Sequence, residues 1–240
     1  MNLIFDIGNT AAKLAIFDKK KKIESFRTKE FSCEKLQKKM SKYNFDKAII
    51  CSTRHFPDFI FDLLTVNIPY VHTLSHKSKL PFKIEYETPE MLGPDRIAAA
   101  AGAYFVFPKE DFLIIDTGSA ITFDYVIGRK FKGGNISPGL GMRFRALHKF
   151  TDKLPLITHA DKFTSPGKST GEAITAGVIM GIIYEINEYI RTFEKKHAGF
   201  KVILTGGDSE YLKDKIDFKV TYLPDIVIDG LNFILEYNAK

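Results

Sequence analysis

Apolar positions along this chain gather into short runs that end on a carboxylate or a glycine-containing turn. The pattern predicts strands near Asn2–Asp6, Ala12–Asp18 and Ile23–Thr28. Apolar runs of this length, bounded by Asp, Asn and Gly, read as strands joined by tight turns. A helix is then predicted near Cys33–Lys42, a strand over Lys47–Ser52, a helix around Phe56–Leu64 and a strand over Tyr70–Leu74. Past a linker the order restarts. Strands are expected at Phe112–Asp116, Ala120–Ile127 and Lys130–Gly134, helices at Gly139–Lys149 and Ser169–Lys195, then the strand "KVILTGG" and a terminal helix. The same three strands open each half, which predicts duplicated α/β domains over 1–108 and 109–240 with a cleft between them.

The repeat is chemical as well as periodic. "DIGNT" follows the first strand and "DTGSA" the corresponding strand of the second half, so Asp6 and Asp116 each precede a glycine by two positions. Turn residues alone would account for either hairpin. The pair is better explained as a phosphate clamp: glycine lets backbone approach a ligand, and Asn9, Thr10 and Ser119 offer donors to phosphate oxygens.

Two helix starts add to this. In "GPDRIAAAAGAYF" Pro94 suits the first turn and Ala98–Ala101 are strong helix formers, so Asp95 and Arg96 project from the mouth of a helix. A cap explains Asp95; the helix dipole disfavours Arg96 there. In "KSTGEAITAGVIMGIIYEI" Ser169 and Glu172 have capping-box spacing, which places Thr170 at the helix mouth, where free N–H groups favour an anionic or polar ligand. Gly177 and Gly181, one turn apart, suit close helix packing or a subunit contact.

Composition narrows the field. The 240 residues, 45% hydrophobic, can bury a substantial core. The longest apolar run, Val178–Ile183, is broken by Gly181 and is too short for a membrane span. The first residues enter a strand at once with no basic leader, so a cytoplasmic location is expected. Cys33 and Cys51 are far apart and suggest neither disulfide nor zinc site. His72 and His76 lack a third ligand. The formal charge of +6 includes a run at Lys19–Lys22. That run reads as a solvated hairpin turn, not a nucleic-acid patch, so no nucleic-acid or membrane partner is expected.

In order and spacing, "DIGNTAAK", "GPDR", "DTGSAIT", "GGNISPG", "KST", "LTGG" and "DIVIDGLNFI" resemble the motifs of the type III pantothenate kinases. These belong to the acetate and sugar kinase/Hsc70/actin superfamily, with duplicated ribonuclease H-like, actin-like ATPase domains. The resemblance implies ATP-dependent phosphorylation of pantothenate to 4'-phosphopantothenate, the first step of coenzyme A biosynthesis. It implies that Asp6, Ile7, Gly8, Asn9, Thr10, Ala11, Ala12 and Lys13 cradle ATP phosphates, with Asp6 near Mg²⁺ and Ser119 contacting ATP from the second hairpin. Asp95 would be the general base, with Tyr86, Gly93, Pro94, Arg96 and Thr170 around pantothenate. Asp116 would hold a monovalent cation, K⁺ or NH₄⁺, and the protein would be a homodimer. Ser119-Ala120 stands where Thr-Ala is usual, Pro94 where alanine is frequent, and "KST" where "KNT" is commoner; none removes a functional group. Two rivals are another kinase or hydrolase of the same fold, and a nucleotide-binding regulator without turnover.

Overall fold

A computed structural model describes residues 1–158, 163–197 and 199–239. Two compact units emerge. The first comprises Met1–Lys109, Ile127–Lys132 and Asp225–Lys240, and the second Glu110–Val126 and Gly133–Pro224. The sequence reading cuts the chain at 108/109; in the structure the C-terminal helix packs in the first unit.

In the first unit, β1 (Asn2–Ile7), β2 (Ala12–Asp18), β3 (Lys21–Thr28), β4 (Lys47–Ser52) and β5 (Tyr70–Thr73) form one sheet in the order β3-β2-β1-β4-β5. β1 pairs antiparallel with β2 and parallel with β4. Central β1 and β4 are almost wholly buried, whereas edge strand β3 alternates. Helices α1 (Cys33–Met40) and α2 (Asp58–Asn67) give Leu36, Met40, Ile60 and Leu64 to the same cluster as Phe5, Ile7, Leu14 and Ile50. A two-residue strand, β6 (Lys83–Ile84), lies parallel to Lys130 and Phe131.

The other face of this unit is closed by α3 (Pro94–Val106) and α7 (Ile226–Asn238). A Cβ on Gly230 would fall 1.9 Å from the Ala98 carbonyl oxygen, and one on Gly102 2.2 Å from that of Ile226. The helices therefore cross backbone against backbone. Buried Ala98–Ala101 serve that crossing as much as helix propensity. Asn2 ties the sheet to α7 by donating to Asn232 and Glu236, both at 2.8 Å.

The second unit contains β7 (Phe112–Thr117), β8 (Ala120–Ile127), β9 (Lys130–Pro138), β10 (Lys201–Thr205) and β11 (Thr221–Tyr222), in the order β11-β10-β7-β8-β9. β7 pairs antiparallel with β8 and parallel with β10, so each position of the first sheet has its counterpart. The helices are α4 (Leu140–Lys149), α5 (Thr170–Glu194) and the short α6 (Ser209–Leu212). This is the duplicated α/β arrangement that the repeated strand order predicts, and the ribonuclease H-like fold that the resemblance implies.

Two expectations need correction. By length and apolarity α5 reaches the range of a membrane span, contrary to the reading from its interrupted run. Its Ile179, Ile182, Ile186 and Ile190 are spent in the core of the second unit, and Tyr189 stacks on Phe123 at 3.9 Å between centroids. The lysine run is only partly a solvated turn. Lys19 adopts φ 54°, its carbonyl accepts from Asn232, Lys20 lies over Phe105, and Lys22 is ion-paired with Asp225.

Candidate active site

The first hairpin is built by strand pairing. β1 and β2 place Asp6 directly opposite Lys13, and Ile7 opposite Ala12. The turn between them closes where Gly8 N donates to the Ala11 carbonyl at 3.2 Å. Asn9 and Thr10 at its tip are exposed, whereas Ile7 and Ala12 are buried, so those two could offer a ligand only their backbone. The Ile7 carbonyl accepts from Thr53 N at 3.1 Å, which fixes the strand end against the residue after β4.

Asp6 lies in low-dielectric surroundings beside a second carboxylate. Burial and the charge of Asp95 push its pKa up to about 6, against the opposing pull of Lys13 and Arg27. Asp95 is likewise raised by burial, with bonds from the backbone pulling the other way. Cys51, aligned with Asp6 across β1 and β4, has its thiol pushed well up by burial and by both carboxylates. A cation between or beside such carboxylates relieves both desolvation and repulsion.

Asp95 is held by the start of α3. Gly93 is the N-cap and Pro94 the first helical residue, so Asp95 stands in the first turn and accepts from Arg96 N at 2.9 Å. A Cβ on Gly93 would stand 2.6 Å from Asp95 Oδ1, so the glycine makes room for the carboxylate. Arg96 does not project at the helix mouth as the sequence suggested. It is 6% exposed, with its guanidinium 5.9 Å from the Tyr86 ring centroid and 5.7 Å from that of Phe131. Cation–π attraction explains why a cation tolerates the positive end of a helix there. Asp6, Lys13, Tyr86, Gly93, Pro94, Asp95 and Arg96 all belong to the first unit.

The second hairpin is held by shape. Asp116 is the penultimate residue of β7, and Gly118 N donates to the Ala120 carbonyl at 3.1 Å. A Cβ on Gly206, at φ 100°, would lie 2.5 Å from Asp116 Oδ1 and from Thr117 backbone. One on Gly139 would lie 2.3 Å from the Gly118 carbonyl oxygen. Ser119 is exposed at the tip. Beyond Gly206 the turn carries Asp208, whose N–H donates to the Thr117 carbonyl at 2.9 Å. A cavity of about 650 Å³ opens there, lined among others by Leu140, Phe144, Leu156, Ile157, Gly207 and Tyr211. Only the glycine pair hinted at it in the sequence.

Thr170 is the exposed first residue of α5. Its N-cap Ser169 accepts from Glu172 N at 3.3 Å, as the spacing predicts, while the Glu172 carboxylate accepts from Lys168 N at 2.7 Å. Thr170, Ser119 and Asp116 belong to the second unit. Gly177 has open space where a Cβ would be, and the nearest atom to Gly181 is in Arg143 at 3.7 Å, so packing within the chain does not require either glycine. His72 is bonded to Ser78 at 2.8 Å, and among the described residues no cluster of three or more His, Cys, Asp or Glu could hold a metal.

Sequence reasoning quoted Asp225 only as the first residue of the terminal motif and gave it no role. It precedes α7 and forms ion pairs with both Lys13 and Lys22. Its signal was the lysine at the end of the first phosphate motif, whose partner lies more than two hundred residues away in the chain.

Comparison with known proteins identifies the family. The model of the type III pantothenate kinase family matches residues 2–192. Type III pantothenate kinases from Phocaeicola vulgatus and Bacteroides fragilis strain YCH46 are 41% and 42% identical to the chain. The first alignment covers 100% of both chains, and the second 99% of this one and 98% of the other. Among solved structures, a candidate Baf family transcriptional activator from Campylobacter jejuni aligns over 99% of this chain and 98% of its own, with TM-score 0.64 and 22% identity. A candidate 2-dehydro-3-deoxygalactonokinase from Sinorhizobium meliloti covers 100% and 98%, with TM-score 0.62 and 12% identity. At those identities the structures speak for the fold alone, whereas the family match and the curated relatives place this chain in the type III pantothenate kinase family.

Proposed function

We propose that Asp95 is the general base of this kinase, that the Asp6–Lys13 hairpin holds the phosphates of ATP, and that Asp116 holds a monovalent cation. The reaction is the family's: ATP phosphorylates the primary hydroxyl of pantothenate, the first step of coenzyme A biosynthesis. The pantothenate oxygen attacks the γ-phosphorus, the bond to the β,γ-bridging oxygen breaks, ADP leaves, and the hydroxyl proton passes to Asp95. Such transfer depends on positioning and charge stabilisation more than on covalent help from the protein.

The observation that carries this reading is the burial of Asp95 beside Asp6, with Gly93 leaving space for the carboxylate. Burial makes Asp95 a stronger base than an exposed aspartate once a cation neutralises its neighbour. The family uses a divalent metal with ATP. A site with one or two carboxylates fits Mg²⁺, which keeps water and phosphate ligands, and here Asp6 would hold it. The metal would neutralise charge on the phosphates. Tyr86, Gly93, Pro94, Arg96 and Thr170 are assigned to pantothenate. The cavity beside Gly207 is assigned to the nucleoside, for which its size and apolar lining are suitable.

Asp116 is favoured for K⁺ or NH₄⁺ because a bare strand-end carboxylate beside a triphosphate is costly without a neutralising cation. A homodimer is favoured by Gly177, Gly181 and Tyr184, which share one face of α5, with Tyr184 62% exposed; close approach of a second copy would use the open space at Gly177. We assign the enzyme to the cytoplasm, with no nucleic-acid or membrane partner.

The test is formation of ADP and phosphopantothenate from ATP and pantothenate with Mg²⁺, in K⁺ and in Na⁺. Asp95→Asn is expected to keep ATP binding and to lose about 10²-fold or more in turnover, the scale of general-base catalysis. Wild-type turnover in that variant removes the base. Asp116→Ala is expected to flatten the response to K⁺; an unchanged titration removes the cation from that residue.

A further inference from the structure

A lysine at a phosphate hairpin needs a means of staying aimed. Lys13 has a long flexible stem, and its cross-strand neighbour Asp6 is committed to the cation in the function proposed above. The ammonium of Lys13 instead bonds to one oxygen of Asp225, and the ammonium of Lys22 bonds to the other. The pairs are partly buried, with side-chain exposures of 18% for Lys13 and 31% for Lys22 and for Asp225. Burial pushes the Asp225 carboxyl up, and the two ammonium groups more than reverse this, leaving it below its usual value. Asp229, one turn further along α7, also lies within electrostatic reach of Lys13, Lys22 and Asp225, and burial raises it.

The position of Asp225 makes this arrangement informative. It is the N-cap of α7, where an aspartate ordinarily accepts hydrogen bonds from the first helical N–H groups. Its side chain accepts none of them. Both oxygens go to lysines from the first sheet, so the residue has forgone a cap in order to hold two cations. Because Lys22 occupies one oxygen, Lys13 receives only the other. An ammonium has three donors, and a single bond to Asp225 leaves two for phosphate oxygens.

We infer that Asp225 is a positioning residue for phosphoryl transfer, fixing the Lys13 ammonium for the phosphates while Lys22 fixes Asp225. This rests on the assignment of the first hairpin to ATP. Asp225 acts through Lys13 and does not touch the reacting atoms. Its contribution is preorganisation: a lysine already ordered in the free enzyme loses less freedom when nucleotide arrives.

A double-mutant cycle on the full-length protein tests this. The Asp225 side chain caps no helical N–H, so Asp225→Asn loses only its two partly buried ion pairs and is expected to fold with a modestly lowered thermal midpoint, a loss that Lys13→Ala shares. It should lower kcat about tenfold, since small misplacements of a catalytic group cost that much or more. Lys13→Ala should lower it further, and the double variant should be no slower than Lys13→Ala alone. Lys22→Ala, which leaves the Lys13–Asp225 bond in place, should have a smaller effect of the same kind. Wild-type kcat in Asp225→Asn, or losses from the two single variants that multiply in the double, overturns the inference. Running the same cycle on MgATP affinity by calorimetry separates the two readings. If the wild type binds MgATP but makes no phosphopantothenate, the kinase assignment of these residues fails. Non-additive losses of affinity would still support Asp225 as the positioner of Lys13, and additive losses would overturn it.

Discussion

The two hairpins share a strand-end carboxylate, a glycine two residues on and an antiparallel return strand, yet they hold their aspartates by different means. At the first, Asp6 is in electrostatic tension: buried, facing Asp95, and relieved only in part by Lys13 and Arg27. Space is less tight there: a Cβ on Gly8 would lie 3.3 Å from the Ala11 carbonyl oxygen, a close contact that a shift of a few tenths of an ångström would relieve. At the second, Gly206 and Gly139 let backbone close to distances that no side chain survives. Duplication supplied the same strand ends twice. One has been specialised through charge, the other through shape.

If that contrast holds, charge substitutions should dominate at the first hairpin and methyl groups at the second. The largest effect is expected for Asp6→Asn in metal-free protein. A carboxyl raised from 3.8 to about 6 on folding gains most stability below its unfolded value and loses it as pH rises through about 6. Removing the charge should therefore stabilise the fold near pH 7 by about 3 kcal/mol, at ~1.4 kcal/mol per pKa unit, while activity is lost. Denaturant titrations with and without Mg²⁺ would show it. Mg²⁺ should raise the stability of the wild type and leave the variant unmoved, and equal stability of the two metal-free proteins would break the comparison.

Gly206→Ala comes next. Its Cβ meets backbone that cannot yield, at a positive φ that alanine tolerates poorly, so a loss of about 2 kcal/mol or more is expected in the same titration. A neutral result would mean that the second hairpin has slack. The smallest change in stability belongs to Gly93→Ala. Its φ of −53° suits alanine, and the nearest atom is the end of the Asp95 side chain, which can swing away. Stability should stay within ~0.5 kcal/mol. Turnover should drop about tenfold as Asp95 is displaced. A loss of stability with turnover intact would place the constraint in packing instead of in the carboxylate.

Much of this was legible from periodicity. The long strands and helices fall within a few residues of their expected bounds because their buried faces repeat at strand or helix spacing. Two-residue strands such as Lys83–Ile84 and Thr221–Tyr222 offer no period to detect. Asp6, Asp95 and Asp116 stood out because carboxylates beside glycines are chemically odd at those places. Asp225 did not stand out, since an aspartate before a helix reads as an ordinary cap, and only three-dimensional proximity pairs it with Lys13. The lysine run showed the same limit. Charge spacing predicts a solvated turn, but Lys22 turns inward onto a partner from the other end of the chain. Arg96 was flagged as anomalous for the right reason, its position at a helix start, while the rings that accommodate it came from separate segments.

The backbone crossing at Gly102 and Gly230 bears on how the protein is born. The sheet of the first unit leaves the ribosome early, but the helix that closes its second face emerges only after the whole second unit has been translated. Until then Ala98–Ala101 have the sheet on one side but lack the helix they cross, whereas the later unit already has all its own strands. The part of the chain made first is thus finished last, and the Lys13 latch closes with the final helix.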